Sequence, residues 1–411
     1  MEQINRIIFL FLTKFSKRDY QRFGCDIIKK KGYEVEVWEC APWLYPVYSQ
    51  RYDVSDPCDF SGHKVFGTFE ATKAAISALT EKDVIVDVWH ITKEYDFGMI
   101  NGSKVGTTLC GSLPERAVNK TQQFSLPERA VNKTQQFIRR MHSAFSNPLH
   151  IFSIVKSRFF QKLRANAPLS YSGNPAYDFM IVGGTGVEKH REHTIDDTTT
   201  ILKAHAFDYD RYLEEEMDAG CRPFQSAEPY AVFLDQAVGF HPEINISNVM
   251  QYPTLDQYYP EIRNFFMQFT AQTGLQVVIA THPRIDNSSQ GKLFGGSVRI
   301  AGKTVSLVKR SQLVLAHATT AINFAVLYHK PVILLDSENF DPHFKSLITA
   351  FERALGAHTI NMSHAPSVTV NDFDVDERKY SLYKNRFIKE PGTPEKFVWD
   401  VFCDYLNVLN A

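Results

Sequence analysis

Short runs of apolar residues alternate with segments of helical periodicity along the whole chain, which is typical of an α/β protein. In the first half, the runs predicted as strands are Ile7–Leu12, Tyr33–Cys40, Val84–Trp89, Asp178–Gly184 and the start of Ile201–Tyr212. In the second half, they are Tyr230–Gln236, Leu275–Ala280, Leu313–His317 and Pro331–Asp336. Helices are predicted over Asp19–Lys31, Asp256–Thr273, Ala321–His329 and Pro394–Leu409. Two such series of similar size predict two Rossmann-like domains that face a cleft.

The order of the two series predicts how the 411 residues divide into domains. We expect an N-terminal domain over 1–220 and a second domain over 221–390, joined near 214–229. A terminal helix over 391–411 would follow. Because ligands of such sheets bind at the carboxyl ends of the strands, the loops after the strands are where chemistry is expected.

Composition and charge exclude several classes of protein. The apolar fraction of 44% and the charged fraction of 22% are ordinary for a globular chain. A net charge of −1 argues against a dedicated nucleic-acid binder. The six cysteines are scattered without CxxC spacing, which favours reduced thiols in the cytoplasm over a zinc site or a disulfide frame. The run Ile7–Leu12 is too short for a signal sequence or a membrane span.

The loop after the strand Leu275–Ala280 has the sequence Thr-His-Pro-Arg. Pro283 favours an extended conformation at His282, and this places an imidazole beside the guanidinium of Arg284. Such a pair suits an anionic ligand such as a nucleotide phosphate. A surface loop without a ligand is the alternative.

The loop after the next strand combines His317 with Thr319 and Thr320, where a helix begins. Threonine hydroxyls at such a position either cap the helix or help to bind a phosphate. Both loops follow strands of the same series, which favours a shared phosphate site. Asp235 and Gln236 follow the first strand of that series and are expected to contact a sugar or the interdomain connection.

The first series offers weaker candidates. Gly183 and Gly184 follow a strand, where they indicate a tight turn or a phosphate-binding loop, without the third glycine of a dinucleotide fingerprint. Lys14, Arg18 and Asp19 follow the first strand and are candidates for acceptor contacts and a general base, or for a solvated charged loop. Residues of the connector, His205, Asp208 and Asp210, are interpreted as possible structural groups.

The motifs T-H-P-R and A-T-T-A-I-N-F-A, the second followed by K-P-V-I-L-L, resemble the C-terminal half of bacterial GT-B glycosyltransferases of surface-polysaccharide assembly. They are most similar to the sialyltransferase-like branch, in which a His-Pro motif and a Ser/Thr pair bind the nucleotide. The resemblance is specific over Leu275–Ser337 and architectural elsewhere. It implies a GT-B-like fold whose terminal helix packs back on the first domain, a role for His282, Thr319 and Thr320 at a nucleotide-sugar donor, and transfer without a metal or other cofactor.

The chain departs from that branch where the general base should lie. The branch carries an acidic-acidic-Gly motif in its first domain, and Glu94–Gly98, with the sequence E-Y-D-F-G, is only a loose counterpart. Asp19, Glu94 and Asp96 all remain candidate bases. The departure also leaves the donor open between a CMP-sugar, which the resemblance favours, and a UDP- or GDP-sugar.

A basic insertion at about 112–166 contains a 13-residue string written twice, over Ser112–Phe137. Two copies are too few for a repeat architecture, and each begins with a helix-start signal, S-L-P-E. We interpret the string as a duplication whose first copy, Ser112–Phe124, can be deleted with little effect. Residues 148–166 mix apolar and basic side chains, which indicates either contact with an anionic membrane or an amphipathic helix packed on the first domain.

The sequence therefore predicts a glycosyltransferase that passes a sugar from a nucleotide donor to a bacterial surface glycan or a lipid-linked acceptor, in the cytoplasm or at the inner face of its membrane. A nucleotide-sugar 2-epimerase or hydrolase on the same fold is the alternative, although A-T-T-A-I-N replaces the Gly-rich pair expected there. A non-catalytic nucleotide- or glycan-binding protein is the third hypothesis.

Overall fold

The described part of the protein contains two parallel sheets. The computed structural model describes residues 3–51, 54, 56–94, 97, 102–111, 114, 176–186, 195–217, 228–240, 252–283 and 293–411. The first sheet has seven strands: β1 Arg6–Phe11, β2 Glu34–Glu39, β3 His63–Val65, β4 Asp83–Asp87, β5 Lys104–Leu109, β6 Phe179–Val182 and β7 Thr200–Lys203. Their order is β3-β2-β1-β4-β5-β6-β7, with each neighbouring pair parallel. The order reverses between β1 and β4, which is the switch point of this sheet.

The second sheet repeats this plan with six strands. They are β8 Tyr230–Leu234, β9 Gln276–Ala280, β10 Arg299–Ile300, β11 Leu313–Ala316, β12 Val332–Asp336 and β13 His358–Asn361. The order is β10-β9-β8-β11-β12-β13, again parallel throughout, so the switch point lies between β8 and β11. The central strands are buried on both faces, as their continuous apolar sequences require.

Short helices connect the strands. In the first half they are α1 Lys17–Arg22, α2 Cys25–Lys30, α3 Ala41–Leu44, α4 Pro46–Arg51, α5 Phe69–Ser77 and α6 Ile91–Glu94. From there on they are α7 Phe207–Met217, α8 Leu255–Thr273, α9 Thr304–Arg310, α10 Ile322–Leu327, α11 Pro342–Leu355, α12 Glu377–Tyr383 and α13 Val398–Leu409. A 3₁₀ turn spans Val370–Phe373, and a π-helical turn spans Lys384–Ile388. No helix among the described residues combines the length and apolar character needed to cross a membrane.

The helix expected over Asp19–Lys31 is two helices, because the chain turns at Gly24. The backbone there is left-handed, with φ of +53°. The indole ring of Trp399 packs so closely on Gly24 that a Cβ atom at this position would overlap it. A residue near the C-terminus therefore decides where α1 ends and α2 begins, and no local pattern in the sequence shows this.

The terminal helix α13 packs on the first sheet, although it follows the second along the chain. Trp399 lies edge-on to Phe9 of β1 at 5.0 Å between ring centroids, and Phe402 lies 5.1 Å from Phe179 of β6. These rings share one hydrophobic cluster with the inner residues of β1, β2 and β4. Two Rossmann-like sheets and a terminal helix that returns to the first sheet confirm the expected GT-B-like fold.

The connector predicted after β7 is the helix α7, which packs with the second sheet. Tyr209 and Leu213 belong to the hydrophobic cluster of β8, β11 and β12. His205 is fully buried and lies with Nε2 2.7 Å from the carbonyl oxygen of Lys396. The Asp210 carboxylate accepts a hydrogen bond from Val398 N at 3.0 Å, and burial raises its pKa to about 8. These groups fix the return of the chain to the first sheet, which agrees with their structural interpretation.

Four strands and several helices are absent from the sequence prediction. The strands β3, β5, β10 and β13 are short or polar, so no apolar run marks them. In β5, Gly106 breaks the apolar pattern because the ring of Phe179 on β6 occupies the place of a side chain. Neighbouring strands, rather than the local sequence, stabilise these segments.

Candidate functional site

The carboxyl ends of β8 and β11 lie side by side at the switch point of the second sheet, where open parallel sheets have a crevice. The loop after β8 begins with Asp235 and Gln236, and the loop after β11 begins with His317 and leads through Thr319 and Thr320 to α10. Ligands of open parallel sheets bind at such a point. We refer to the surroundings of Gln236, Ala318, Thr319 and Thr320 as the β8–β11 crevice.

Gln236 spans the β8–β11 crevice. Its Nε2 donates a short hydrogen bond to the carbonyl oxygen of Ala318. A carbonyl only accepts, so this bond fixes the orientation of the amide. Its Oε1 atom is buried and has no hydrogen-bond partner within the described part of the chain. This buried acceptor is left without a partner by the described residues, and an N–H or O–H group of a ligand would satisfy it.

The two threonines have different surroundings, although both are half-buried. The hydroxyl of Thr319 accepts a hydrogen bond from Ala321 N at 3.3 Å, so it serves the local turn. The carbonyl of Thr320 accepts from Asn323 N at 2.9 Å, whereas no described residue hydrogen-bonds its hydroxyl. Thr319 thus supports the turn before α10, and Thr320 presents a hydroxyl that can bind a phosphate.

The Thr-His-Pro loop lies beside the loop after β8. Thr281 is buried, and its hydroxyl finds no partner among the residues that the structure describes. His282 is half-buried, with its backbone nitrogen 3.5 Å from Asp235 Oδ2, and Pro283 is exposed. Arg284 lies outside the described residues. The structure thus brings His282 to the same sheet edge as Gln236.

Asp235 holds these two loops together. Its Oδ1 accepts a hydrogen bond from Ala237 N at 2.9 Å, where Ala237 has a φ of +59°. Its backbone N–H donates to the carbonyl of Ala280 at 3.1 Å. Burial raises the pKa of the Asp235 carboxyl to about 6. Because this side chain is buried and engaged, it shapes the crevice and is poorly placed to contact a sugar.

His317 lies in the hydrophobic core, whereas the sequence analysis predicted that it would lie at the ligand. Its Nδ1 donates to the carbonyl oxygen of Leu335 at 2.7 Å, and its Nε2 accepts from the Tyr258 hydroxyl at 2.9 Å. The ring of Phe340 meets it edge-on at 5.1 Å. Burial lowers the pKa of His317 to about 4, so the imidazole is neutral. Both nitrogens are occupied, and we assign His317 no contact with a nucleotide.

Gly183 and Gly184 pack against another part of the chain. A Cβ atom on Gly183 would lie 2.7 Å from Ala206 N, and one on Gly184 would overlap the backbone of Arg386. The next residue, Thr185, donates its N–H to the carbonyl of Asn385 at 3.0 Å. This close packing explains both glycines without a phosphate ligand.

The charged residues that follow β1, in a loop and in the first turn of α1, are largely engaged. Asp19 is buried, and its Oδ2 accepts a hydrogen bond from the Ser16 hydroxyl at 2.7 Å. Its Oδ1 lies 3.7 Å from Arg18. Lys14 is half-buried on the same loop. Of the other candidate bases, Glu94 is described only as the last residue of α6, and Asp96 lies outside the described residues.

The two sheet edges meet at Asp208, on the first turn of α7. Asn323 of α10 donates its Nδ2–H to Asp208 Oδ2 at 2.9 Å, and its Oδ1 accepts from the Tyr383 hydroxyl at 3.0 Å. Burial raises the pKa of Asp208, while the positive charges of Arg22 and Arg18 oppose that rise. Arg22 of α1 lies over the ring of Phe207 at 4.9 Å, and Asn323 belongs to α10, so elements that follow strands of both sheets lie at this position.

A polar group that the sequence analysis missed lies at the carboxyl end of β4. His90 Nδ1 lies 3.0 Å from the Tyr177 hydroxyl, which donates to Asp87 Oδ2 at 3.2 Å. The run Val84–Trp89 was predicted as one strand, but β4 ends at Asp87. The apolar Val88 and Trp89 concealed the strand end, and an aspartate followed three residues later by a histidine was the available signal.

The described ranges contain no group of three or more His, Cys, Asp or Glu side chains arranged to hold a metal ion. Five cysteines, Cys25, Cys40, Cys58, Cys110 and Cys403, are free thiols, and Cys221 lies outside those ranges. The insertion at 112–166, with its duplicated string and its segment 148–166, also lies outside them apart from residue 114.

No protein-family model matches the chain, and no curated protein matches it in sequence. Among solved structures, it is similar to CalG4, the calicheamicin glycosyltransferase, with 14% identity, a TM-score of 0.46 and 99% of each chain covered. The wall teichoic acid polymerase TagF, as a variant soaked with CDPG, shows 9% identity, a TM-score of 0.48 and coverage of 99% of this chain and 89% of TagF. MnaA of S. aureus in a co-structure with UDP shows 12% identity, a TM-score of 0.45 and coverage of 99% and 97%.

Proposed function

We propose that the protein is a glycosyltransferase that transfers a sugar from a nucleotide-activated donor to a hydroxyl group of a glycan acceptor. The donor binds at the β8–β11 crevice. The observation that carries the proposal is the side chain of Gln236 at the switch point. Ala318 fixes its amide, and its buried Oε1 has no hydrogen-bond partner among the described residues. A sugar hydroxyl or a base amino group supplies the missing hydrogen bond.

The neighbouring groups suit the phosphate of such a donor. The hydroxyl of Thr320 can donate to a phosphate oxygen, and His282 lies at the same edge. Hydrogen-bond donors near a departing phosphate stabilise the charge that develops on it. The motif resemblance supports a CMP-sugar, with UDP- and GDP-sugars as the competing donors, and it supports transfer that needs no metal ion. Retention of activity in EDTA is the expected result.

For the acceptor, the same resemblance supports a glycan of a bacterial surface polymer, such as a capsule, an O-antigen or a lipopolysaccharide, free or lipid-linked. We place the reaction in the cytoplasm, with peripheral membrane contact through 148–166 as a separate expectation. Vesicles of anionic and of neutral lipid test it directly. Equal, negligible binding to both would remove the membrane contact and leave the transferase proposal intact.

Binding of nucleotides tests the site. We expect CMP, CDP, UDP or GDP to raise the melting temperature, because a ligand stabilises the state that it binds. Thr320→Val removes the hydroxyl at nearly constant shape and should weaken the affinity about 3- to 10-fold, the effect of one hydrogen bond. Gln236→Met should have an effect of similar size. Isothermal titration calorimetry measures both changes.

Thr359→Val is the matched control. The Thr359 hydroxyl in β13 is also buried without a partner among the described residues, but it belongs to the edge strand and not to the crevice. Its substitution should leave nucleotide affinity unchanged. If the unaltered protein binds none of the four nucleotides, the proposal fails. Binding without release of nucleotide from any nucleotide sugar would instead indicate a non-catalytic binding protein.

A further inference from the structure

Asp208 lies between the two halves of the chain and keeps part of its surface exposed. It belongs to the first turn of α7 and is half-buried. Burial among its neighbours is nevertheless the main cause of the raised pKa of its carboxyl. A carboxyl group that is enclosed by protein and still meets solvent is expected on the floor of a cleft, where functional acids and bases lie.

The two oxygens of the Asp208 carboxylate have different surroundings. Oδ2 accepts a hydrogen bond from Asn323 Nδ2 at 2.9 Å. No described residue hydrogen-bonds Oδ1. Oδ1 is also not among the buried polar atoms of the described chain that lack a partner, so it reaches solvent. The carboxylate is therefore held by one oxygen and can meet a ligand with the other.

Asn323 fixes the orientation of this carboxylate. Its side chain is buried, and its Oδ1 accepts a hydrogen bond from the Tyr383 hydroxyl at 3.0 Å. Because the oxygen of an amide only accepts and its nitrogen only donates, this contact directs Nδ2 towards Asp208. The chain of hydrogen bonds from Tyr383 through Asn323 thus holds Oδ2 and limits the positions that Oδ1 can take.

The same asparagine joins Asp208 to the β8–β11 crevice. Its backbone N–H donates to the carbonyl oxygen of Thr320 at 2.9 Å, so Thr320 and Asn323 share one turn at the start of α10. Residues three apart in such a turn lie on the same side, with Cβ atoms about 5–6 Å apart. The Asp208 carboxylate lies one hydrogen bond beyond Asn323. A sugar whose phosphate binds at Thr320 is long enough to reach it.

Charged groups of the first half act on the same carboxyl. The positive charge of Arg22, the hydrogen bond from Asn323 and the positive charge of Arg18 all act to lower its pKa against the effect of burial. Burial, and then the charge of Asp208, raise the pKa of the Tyr383 hydroxyl, which stays a donor. Such opposing influences suit a carboxyl group that takes up a proton and releases it again.

We propose that Asp208 is the catalytic base of this protein, and that Asn323 and Tyr383 are its positioning residues. The inference rests on the proposed glycosyl transfer from a donor held at the β8–β11 crevice. A role in joining the two halves uses only Oδ2 and needs no negative charge, since an amide oxygen accepts the same hydrogen bond. The base uses Oδ1 and the charge, so the two roles can be separated by experiment.

In the step, Asp208 Oδ1 takes the proton of the acceptor hydroxyl. The hydroxyl oxygen forms a bond to the anomeric carbon of the donor sugar, while the bond from that carbon to the phosphate oxygen breaks. The electron pair of the broken bond leaves on the phosphate oxygen with the nucleotide. The carboxylic acid then returns its proton to water. When no acceptor is bound, water can supply the attacking oxygen, and the product is the free sugar.

The variants separate the base from the contact between the halves. Asp208→Asn keeps the shape and an oxygen that accepts from Asn323, and it removes the base. Asp208→Ala leaves space for formate as an external base. Tyr383→Phe removes only the hydroxyl that orients Asn323. Asp210→Asn is the matched control on the same helix, because the Asp210 carboxyl, with a pKa of about 8, accepts from Val398 N and serves the fold.

The assay follows release of nucleotide from CMP-N-acetylneuraminate and from UDP-glucose, with lactose or water as acceptor. We expect Asp208→Asn to lower kcat at least about 100-fold, the usual contribution of a general base, with nucleotide affinity and melting temperature close to those of the unaltered protein. Formate should restore activity to Asp208→Ala. Tyr383→Phe should lower kcat with little change in the donor KM, and Asp210→Asn should leave both unchanged.

The pH profile gives a second readout. In the unaltered protein, kcat should rise with pH as the Asp208 carboxyl loses its proton, because only the carboxylate can act as the base. The remaining activity of Asp208→Asn should lack this rise, whereas Asp210→Asn should keep it. The same rise in Asp208→Asn would assign it to another group and would contradict the proposal.

The failures of the two proposals can be told apart. If the unaltered protein releases nucleotide and Asp208→Asn does so at a similar rate, Asp208 is not the base and the transferase proposal stands. If Asp208→Asn loses nucleotide affinity or melting temperature along with activity, or formate does not restore Asp208→Ala, the role of Asp208 is structural. If the unaltered protein releases nucleotide from neither donor, the proposed transfer from these donors fails, and the assignment of Asp208 fails with it.

Discussion

At the scale of single residues, Gln236 and His317 show how two polar side chains that follow neighbouring strands take opposite roles. Gln236 keeps a buried acceptor without a partner at the β8–β11 crevice. His317 turns into the core, where the Tyr258 hydroxyl and the carbonyl of Leu335 occupy both of its nitrogens. The sequence places both residues at the same sheet edge, but only the packed neighbours decide which of them can meet a ligand.

The buried imidazole of His317 should make stability depend on pH. Burial lowers its pKa from 6.5 to about 4. Between pH 4 and pH 6.5, the unfolded chain therefore binds a proton at His317 and the folded chain does not. Stability conferred by the neutral imidazole is fully present above pH 6.5 and is lost as the pH falls towards 4, by on the order of 2–3 kcal/mol.

Urea unfolding at several pH values tests this in the unaltered protein and in His317→Gln, which does not titrate. The variant should be less stable at neutral pH and should lose less stability on acidification. Asp210 also titrates, and because burial raises its pKa, its effect on the pH dependence of stability is opposite to that of His317. Both proteins keep Asp210, so its contribution cancels in the comparison. Equal pH dependence in both proteins would show that the pKa of His317 is the same in the folded and unfolded states. Nucleotide affinity of the folded variant should not change.

At the scale of elements, contacts distant in sequence decide where helices begin and end. The helix predicted over 19–31 is divided at Gly24 because Trp399 needs the space beside it. The apolar runs, in contrast, predicted the central strands correctly, since a strand buried on both faces must be apolar throughout. Strand β5 was missed because Gly106 interrupts its apolar run, and only the position of the Phe179 ring explains a glycine there.

Gly24→Ala tests the contact between α13 and the first sheet. The added methyl group overlaps the Trp399 ring and the backbone is left-handed, so we expect a loss of about 2–4 kcal/mol in the free energy of unfolding. Gly32→Ala is the control, because its φ is +92° and nothing lies within 4 Å of the added atom. It should cost only about 1–2 kcal/mol, the price of the left-handed backbone. Equal losses in the free energy of unfolding, measured by chemical denaturation, would show that the Trp399 ring moves aside without destabilising the protein.

At the scale of the whole molecule, the two halves are joined through α7 and through the returning segment before α13. Asp208 on α7 accepts a hydrogen bond from Asn323 of the second half. The positive charges of Arg22 and Arg18, in the first half, act to lower its pKa. His205 and Asp210 fasten the returning chain beside it. Polar contacts around one helix therefore add to apolar packing in joining the two halves.

A double-mutant cycle measures the contact between the halves. Asp208→Ala and Asn323→Ala should each destabilise the protein, and the pair should lose less than the sum, with a coupling of about 1–2 kcal/mol. The control cycle is Arg211→Ala with Glu214→Ala, an exposed ion pair on the same helix at 2.6 Å. Its coupling should be about 0.3–0.5 kcal/mol. Additive losses at Asp208 and Asn323 would contradict a cohesive role for this hydrogen bond.

The sequence by itself determined the α/β class, the two series of parallel strands and the loops in which polar residues follow them, because strands buried on both faces leave continuous apolar runs in the chain. It also placed Gln236, His282 and Thr320 at one sheet edge. Tertiary structure alone decided that His317 is part of the core, that Gly183 and Gly184 serve close packing, and that His90 is oriented by Tyr177 and Asp87. The direction and the protonation of a polar side chain depend on neighbours brought together by folding, and no local pattern encodes them.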